Sequence, residues 1–172
     1  MTEPSSPAAR KVDHTRVEMT QVVMPQATNP LGNAFGGQIM AWVDICAAVA
    51  AGRLCRTPVV TASIDAVHFL SPVRLGHVVI LRAQVNATFQ TSMECGVSVF
   101  AEDPLTGEVH KAAKAYATFV SLDADGKPQP VPELILESGE DQRRAADAAK
   151  RRAHRLEIRR EENKKRAARE AV

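Results

Sequence analysis

Five runs of the chain alternate apolar and polar residues, and a sixth is apolar throughout. Residues 16–24, RVEMTQVVM, alternate until Pro25. Residues 59–69 set Val60, Ala62, Ile64 and Ala66 against Thr61, Ser63 and Asp65. Residues 78–88 set Val79, Leu81, Ala83 and Val85 against Arg82, Gln84 and Asn86, and residues 93–101 set Cys95, Val97 and Val99 against Glu94 and Ser98. Residues 109–121 alternate small residues with Lys111, Lys114 and Tyr116. Period-two patterning with β-branched residues predicts strands. The breaks at Ser71-Pro72, Leu75-Gly76, Phe89–Thr91 and Asp103–Gly107 are turn sequences. None can hold a crossover helix, so neighbouring strands pair antiparallel.

The exception is Gly37–Gly52, where Ile39, Met40, Trp42, Val43, Ile45, Cys46, Val49 and several alanines leave no polar face. Such a pattern predicts a helix buried on all sides, because a surface helix keeps a wet side. Arg56-Thr57-Pro58 closes it, since the residue before a proline avoids the helical region. One strand, a buried helix and four antiparallel strands predict an α+β fold with a curved sheet wrapped around a long central helix.

The ends read differently. Residues 1–14 are expected to be disordered. Asp123–Gly126 and the prolines at 128, 130 and 132 form a stiff linker. From about Glu137 to Val172, Ala, Arg, Lys and Glu dominate, and they predict a long solvated helix that packs partly on a neighbouring subunit. The expected division is therefore a disordered 1–14, a domain over 15–135 and a helical extension over 136–172.

Charge sharpens that division. The net charge of +2 hides a tail, residues 141–172, with 12 Lys/Arg against 6 Asp/Glu, and a mildly acidic body. The Glu residues interleave with the bases and no aromatics accompany them, so a nucleic-acid arm is not expected. The three cysteines lack metal-like spacing and fit small core residues in a reducing compartment. No apolar leader follows MTEPSSPAARK, and Asp44 and Arg53 keep the apolar helix short of the ~18 apolar residues of a membrane span. A soluble, cytoplasmic protein is expected.

Asp44 is the chemical anomaly. A carboxylate inside an apolar helix is paired, protonated or used. It is either satisfied by backbone or Arg53, or it is a catalytic group. Gly36-Gly37 opens the helix with free N–H groups. Gly37 and Asp44 lie two turns apart on one face, roughly 10 Å along the axis at ~1.5 Å per residue. A base for water at one end and an oxyanion hole at the other is the layout of ester or thioester hydrolysis. Asn29, before Pro30, is either a turn former or an amide that positions water or donates to the oxyanion. Thr61, Ser63 and Asp65 share a predicted strand face that either meets solvent or lines the same cleft. No zinc triad, P-loop, GxGxxG or Ser-His-Asp pattern is present.

NPLGNAFGGQIMAWVD resembles the signature of hotdog-fold acyl-CoA thioesterases. TASIDAVHF, SPVRLG, TSMECGVSVF and YATFVSLDADGKPQPVPEL continue the likeness in order over roughly residues 15–135. The branch is the cytosolic one that includes brain acyl-CoA hydrolase and bacterial YciA-type enzymes. The resemblance implies hydrolysis of acyl-CoA to free fatty acid and CoA, with Asp44 as general base or nucleophile and no cofactor beyond the CoA of the substrate. It implies a catalytic Asn29 supplied by the partner subunit of a homodimer, and a trimer of dimers. Backbone N–H groups of Gly36 and Gly37 would hold the oxyanion. The histidine that precedes the double glycine in the brain enzyme is Phe35 here, which leaves the backbone donors in place. Arg74, Arg82, Lys111 and Lys114 are the candidate cations for CoA phosphates, with Ser63, Thr61, Thr91 and Ser92 as further substrate contacts. The alternatives are a dehydratase, for which no histidine lies between His14 and His68, and a non-catalytic acyl-CoA sensor with a basic tail.

Overall fold

In the computed structural model, which describes residues 7–170, four of the five alternating runs become one strand each, and the run 59–69 splits into two short strands. β1 (Arg10–Lys11) is followed by a 3-10 turn over Val12–Thr15 and by β2 (Val17–Val22). Then come α1 (Gly36–Cys55), β3 (Val59–Ile64), β4 (His68–Phe69), β5 (Val78–Thr88), β6 (Ser92–Glu102) and β7 (Val109–Ser121). β8 (Leu134–Ile135) and α2 (Gly139–Glu170) complete the chain. The main sheet runs β2-β5-β6-β7-β3, antiparallel throughout, with β4 also on β7. The sheet curls around α1, the hotdog arrangement, while α2 lies on its other face.

α1 seats Ile39, Val43, Cys46, Ala47, Ala50, Ala51 and Leu54 in the concave face, where they meet Leu81, Val85, Cys95, Val97 and Phe119 in one core. Those helical positions recur at three- and four-residue steps, the spacing of one helix side. Burial pushes the Cys46 thiol up to about 11 and raises that of Cys95 as well. The helix ends at Arg56, in the left-handed conformation with φ 59°, whose N–H donates to the Gly52 carbonyl at 2.8 Å.

Three expectations change. The sheet covers α1 on one side only: Met40, Ile45 and Val49 are 39%, 53% and 43% exposed. A single half-barrel cannot close around a helix, so the apolar outer stripe is left for something else. By length and a mean hydropathy of 1.4, α1 is also long and apolar enough to cross a membrane, contrary to the sequence estimate. Its seat in the sheet accounts for that composition. Finally, residues 10–14 are ordered: β1 pairs with β8, and Val12 is buried. Apolar Val12 and the Thr15 hydroxyl, which accepts from the Val85 amide at 3.1 Å, tie the stretch to the core. Of the rest of the predicted disorder, residues 7–9 are exposed and carry no regular structure, and residues 1–6 lie outside the described residues.

Candidate active site

The loop before α1 is built by Asn29. Its Oδ1 accepts from the amides of Leu31 at 3.0 Å and Asn33 at 3.2 Å, and its own N–H donates to the Asn33 carbonyl at 2.8 Å. Gly32, at φ +72°, makes the reversal that a side chain would resist. The Phe35 N–H on the Ala27 carbonyl and the Ala34 N–H on the Val73 carbonyl lock the loop to its neighbours. Two donors on one side of the Asn29 amide fix its orientation. Its NH2 is then the group left to act, as a donor.

α1 opens without a side-chain cap. Gln38 and Ile39 N–H groups turn back onto the Phe35 carbonyl at 3.0 and 3.1 Å, while the Gly36 and Gly37 amides have no acceptor among the described residues. The Phe69 ring of β4 lies against Gly36, where an added Cβ would stand 3.3 Å from it. Nothing comparable crowds Gly37. The helix start is thus a pair of uncommitted donors beside an aromatic wall.

Two turns along, Asp44 is half-buried on the outward side of α1, and the Thr61 hydroxyl donates to its Oδ1 at 2.7 Å. The expectation of a lone buried acid is corrected on both counts: the chain leaves that side of α1 uncovered, and β3 supplies a partner. Arg53 plays no part, since its guanidinium donates to the Arg16 carbonyl.

The shared face of Thr61, Ser63 and Asp65 is also corrected. A bulge at Ala62 shifts the register, so Thr61 sits opposite buried Phe119 and Ser63 opposite Thr118. One extra residue flips every later side chain. Thr61 therefore faces α1, Ser63 faces α2, and Asp65 is bound by Arg155 of α2 at 2.6 Å.

The other expected contacts scatter. Arg74, exposed, pairs its backbone with Asn33 and stands beside the Asn29 loop. Thr91, Ser92 and Ser63 line a groove of about 790 Å³ between the outer sheet face and α2, together with Arg152, Arg155 and Arg159. Arg82 is paired with Glu18 at 2.7 Å on the outer face. Lys111 is exposed on β7, and Lys114 lies over the Tyr116 ring at 5.0 Å. The sequence reading missed Phe69, Glu94 and the α2 arginines. Gly96 was an available signal: a glycine inside a strand marks close approach, and here an added Cβ would meet the Asn86 amide at 2.6 Å, beside Glu94.

Residues 31–108 match the thioesterase superfamily. The chain is 40% identical over 136 residues to the uncharacterised acyl-CoA thioester hydrolase YkhA of Bacillus subtilis, covering 79% of each. It spans only 25% of the mouse acyl-coenzyme A thioesterase 11 and 37% of the mouse cytosolic acyl-CoA thioester hydrolase. A hexameric acyl-CoA thioesterase superposes with a TM-score of 0.84 at 36% identity, over 88% of this chain and 97% of that one. The acyl-CoA hydrolase of Staphylococcus aureus, solved with butyryl-CoA, CoA and CoA disulfide, gives 0.84 at 34%, over 95% and 99%. Alanine variants of an asparagine, an aspartate and a threonine of that enzyme have also been solved, at the mutual spacing of Asn29, Asp44 and Thr61.

Proposed function

Because the chain belongs to the thioesterase superfamily and falls among its acyl-CoA hydrolases, we propose that it hydrolyses acyl-CoA to a free fatty acid and CoA. The observation that carries this reading is Asp44, held by Thr61 on the helix that opens with the uncapped Gly36 and Gly37 amides. Thr61 occupies Oδ1 and leaves Oδ2 to take a proton from water, or to attack the thioester and form a mixed anhydride. The developing oxyanion is met by the Gly36 and Gly37 amides and by the Asn29 NH2. The thiolate leaves as CoA, and the chemistry asks for no cofactor.

Two copies complete the site. Asn29 and the helix start belong to one loop-helix junction, whereas Asp44 lies two turns further along α1, ~10 Å down the axis. A partner's Asp44 brought to this junction closes the gap. The exposed stripe of Met40, Ile45 and Val49, next to the unpaired edge of β3 with Val60 45% exposed, is the surface such a homodimer would cover. The hexameric relative supports a trimer of dimers, and the cytosolic names of mammalian relatives support a cytoplasmic setting. Arg74 is the candidate cation nearest the junction. Ser63, Thr91 and Ser92 offer hydroxyls to phosphates in the α2 groove. Arg82, Lys111 and Lys114 would act on CoA only from the outer faces. Neither a membrane nor nucleic acid enters this reading.

Thiol release from acyl-CoA tests it. Asp44→Ala is expected to lose ~10² or more in kcat, the range for a positioned base. Equal turnover in wild type and variant would sink the hydrolytic role. A sensor of acyl-CoA would bind without turnover in both proteins. In a single turnover in 18O-water, label in Asp44 marks the anhydride route, with water attacking the Asp44 carbonyl carbon, because the base route delivers the water oxygen only to the fatty acid.

A further inference from the structure

Glu94 is fully buried on the face of the sheet away from α1. It accepts from Arg151 at 2.7 Å, Arg155 at 3.0 Å and Asn86 at 3.3 Å. Buried ion pairs seldom stabilise a fold more than apolar packing does, so such a cluster asks for a further use. Arg155 suggests one, because its second nitrogen grips Asp65 at 2.6 Å. Asp65 is the residue after β3, and its N–H donates to the Tyr116 carbonyl at 2.9 Å. β3 is an edge strand, paired among the described residues only to β7, and it is broken by the bulge at Ala62. Bulged edges are the pliable parts of a sheet. Immediately before that bulge stands Thr61, the hydroxyl on Asp44.

We propose that Arg155 is a positioning residue for hydrolysis: from α2 it clamps Asp65, fixes the bulged edge of β3, and so aims the Thr61 hydroxyl that orients Asp44. The C-terminal helix is then part of the catalytic apparatus, although it lies on the opposite side of the sheet. The proposal rests on Asp44 being the reacting carboxylate. Freed from Asp65, β3 would let Thr61 drift, and misplacement of a reacting group by ~1 Å costs up to ~10² in rate.

Asp65→Ala is the test, because it opens the clamp while Arg151 and Arg155 stay on Glu94. The expected result is a kcat about tenfold lower, with KM for acyl-CoA within twofold and α2 still docked by circular dichroism. Asp65→Glu should recover most of the rate. In a Thr61→Ala background, Asp65→Ala should do nothing more, since contacts acting in series are non-additive. A wild-type kcat for Asp65→Ala, a loss that adds in full to that of Thr61→Ala, or no recovery by Asp65→Glu would each overturn the proposal. Asp44→Ala measured alongside isolates the premise: full activity there would remove the reading of Asp44, whatever Asp65 does.

Discussion

α1 meets the sheet through seven apolar side chains and begins with bare amides, whereas α2 meets the opposite face through Ala148, Arg151 and Arg155 and begins with a closed cap. At the start of α2, the Ser138 hydroxyl accepts from the Asp141 amide at 3.1 Å, and the Asp141 carboxylate accepts from Ser138 N–H at 3.1 Å. That reciprocal pair is a capping box. Phe35 offers α1 nothing of the kind. One helix is tied down by burial and keeps its first donors free. The other is tied down by polar contacts, and its Asp141 amide is spent on the Ser138 hydroxyl. The difference marks which helix start carries a side-chain cap and which does not.

Adjacent residues on β6 give the sharpest way to break that contrast. Glu94 points to α2 and Cys95 to α1, both fully buried. Glu94→Ala is expected to cost about 3 kcal/mol in urea unfolding, the low end for breaking a buried pair. It falls at the low end because Arg155 keeps Asp65 and Arg151 keeps the Tyr116 ring, 3.6 Å from its guanidinium carbon. Cys95→Ala removes one sulfur from a dry core and should cost about 1 kcal/mol. If Cys95→Ala proved the more damaging, the polar seat of α2 would be ornamental and the two faces would not differ in kind.

The sequence made the inner half of this design legible and the outer half obscure. Alternation located β5 and β7 to the residue, because their inner positions are apolar throughout. The all-apolar helix was equally plain. Its bare side was not, since an apolar residue that the sheet leaves uncovered looks in sequence like one that it buries. Within the candidate site, Asp44 stood out by contrast with its neighbours, and the glycine pair by its place at the helix start. The partition of Thr61 from Ser63 did not, because a bulge at Ala62 leaves no mark in an alternating pattern. Glu94 resembled any solvent-facing strand residue, and only the remote arginines of α2 make it a buried one.

The bare start of α1 invites a substitution that trades stability against rate. Phe35→Asp would place an acceptor at the capping position, within reach of the Gly37 or Gln38 amide. Phe35 is 50% exposed, so little packing is lost. A new cap should add ~0.5–1 kcal/mol to stability. By occupying the donors proposed for the oxyanion it should also cut kcat, up to the ~10²-fold that loss of one such donor costs. Calorimetry and steady-state kinetics on the same variant check both signs. A more stable enzyme with undiminished kcat would mean that the helix start is not where the negative charge develops.

Acid offers the smallest effect and separates the two helix starts without mutation. Glu140, in the first turn of α2, is held at a pKa of about 2 instead of its ordinary 4.5, chiefly by hydrogen bonds from Arg143 and Arg144. A carboxylate depressed on folding contributes stability that is present above its unfolded value and lost as pH falls through the folded one. The contribution of Glu140 is therefore intact above about pH 4.5 and gone near pH 2. Asp141 shifts the same way: burial opposes the charge, but the bonds from Ser138 outweigh it. The first turn of α1, Gly36–Ile39, carries no carboxyl group. Across that window, amide-exchange protection at Arg143 and Arg144 should fall while protection at Met40 and Ala41 holds. Parallel loss at both starts would show that acid acts on the body as a whole, and that the capped end of α2 is no more dependent on charge than the open end of α1.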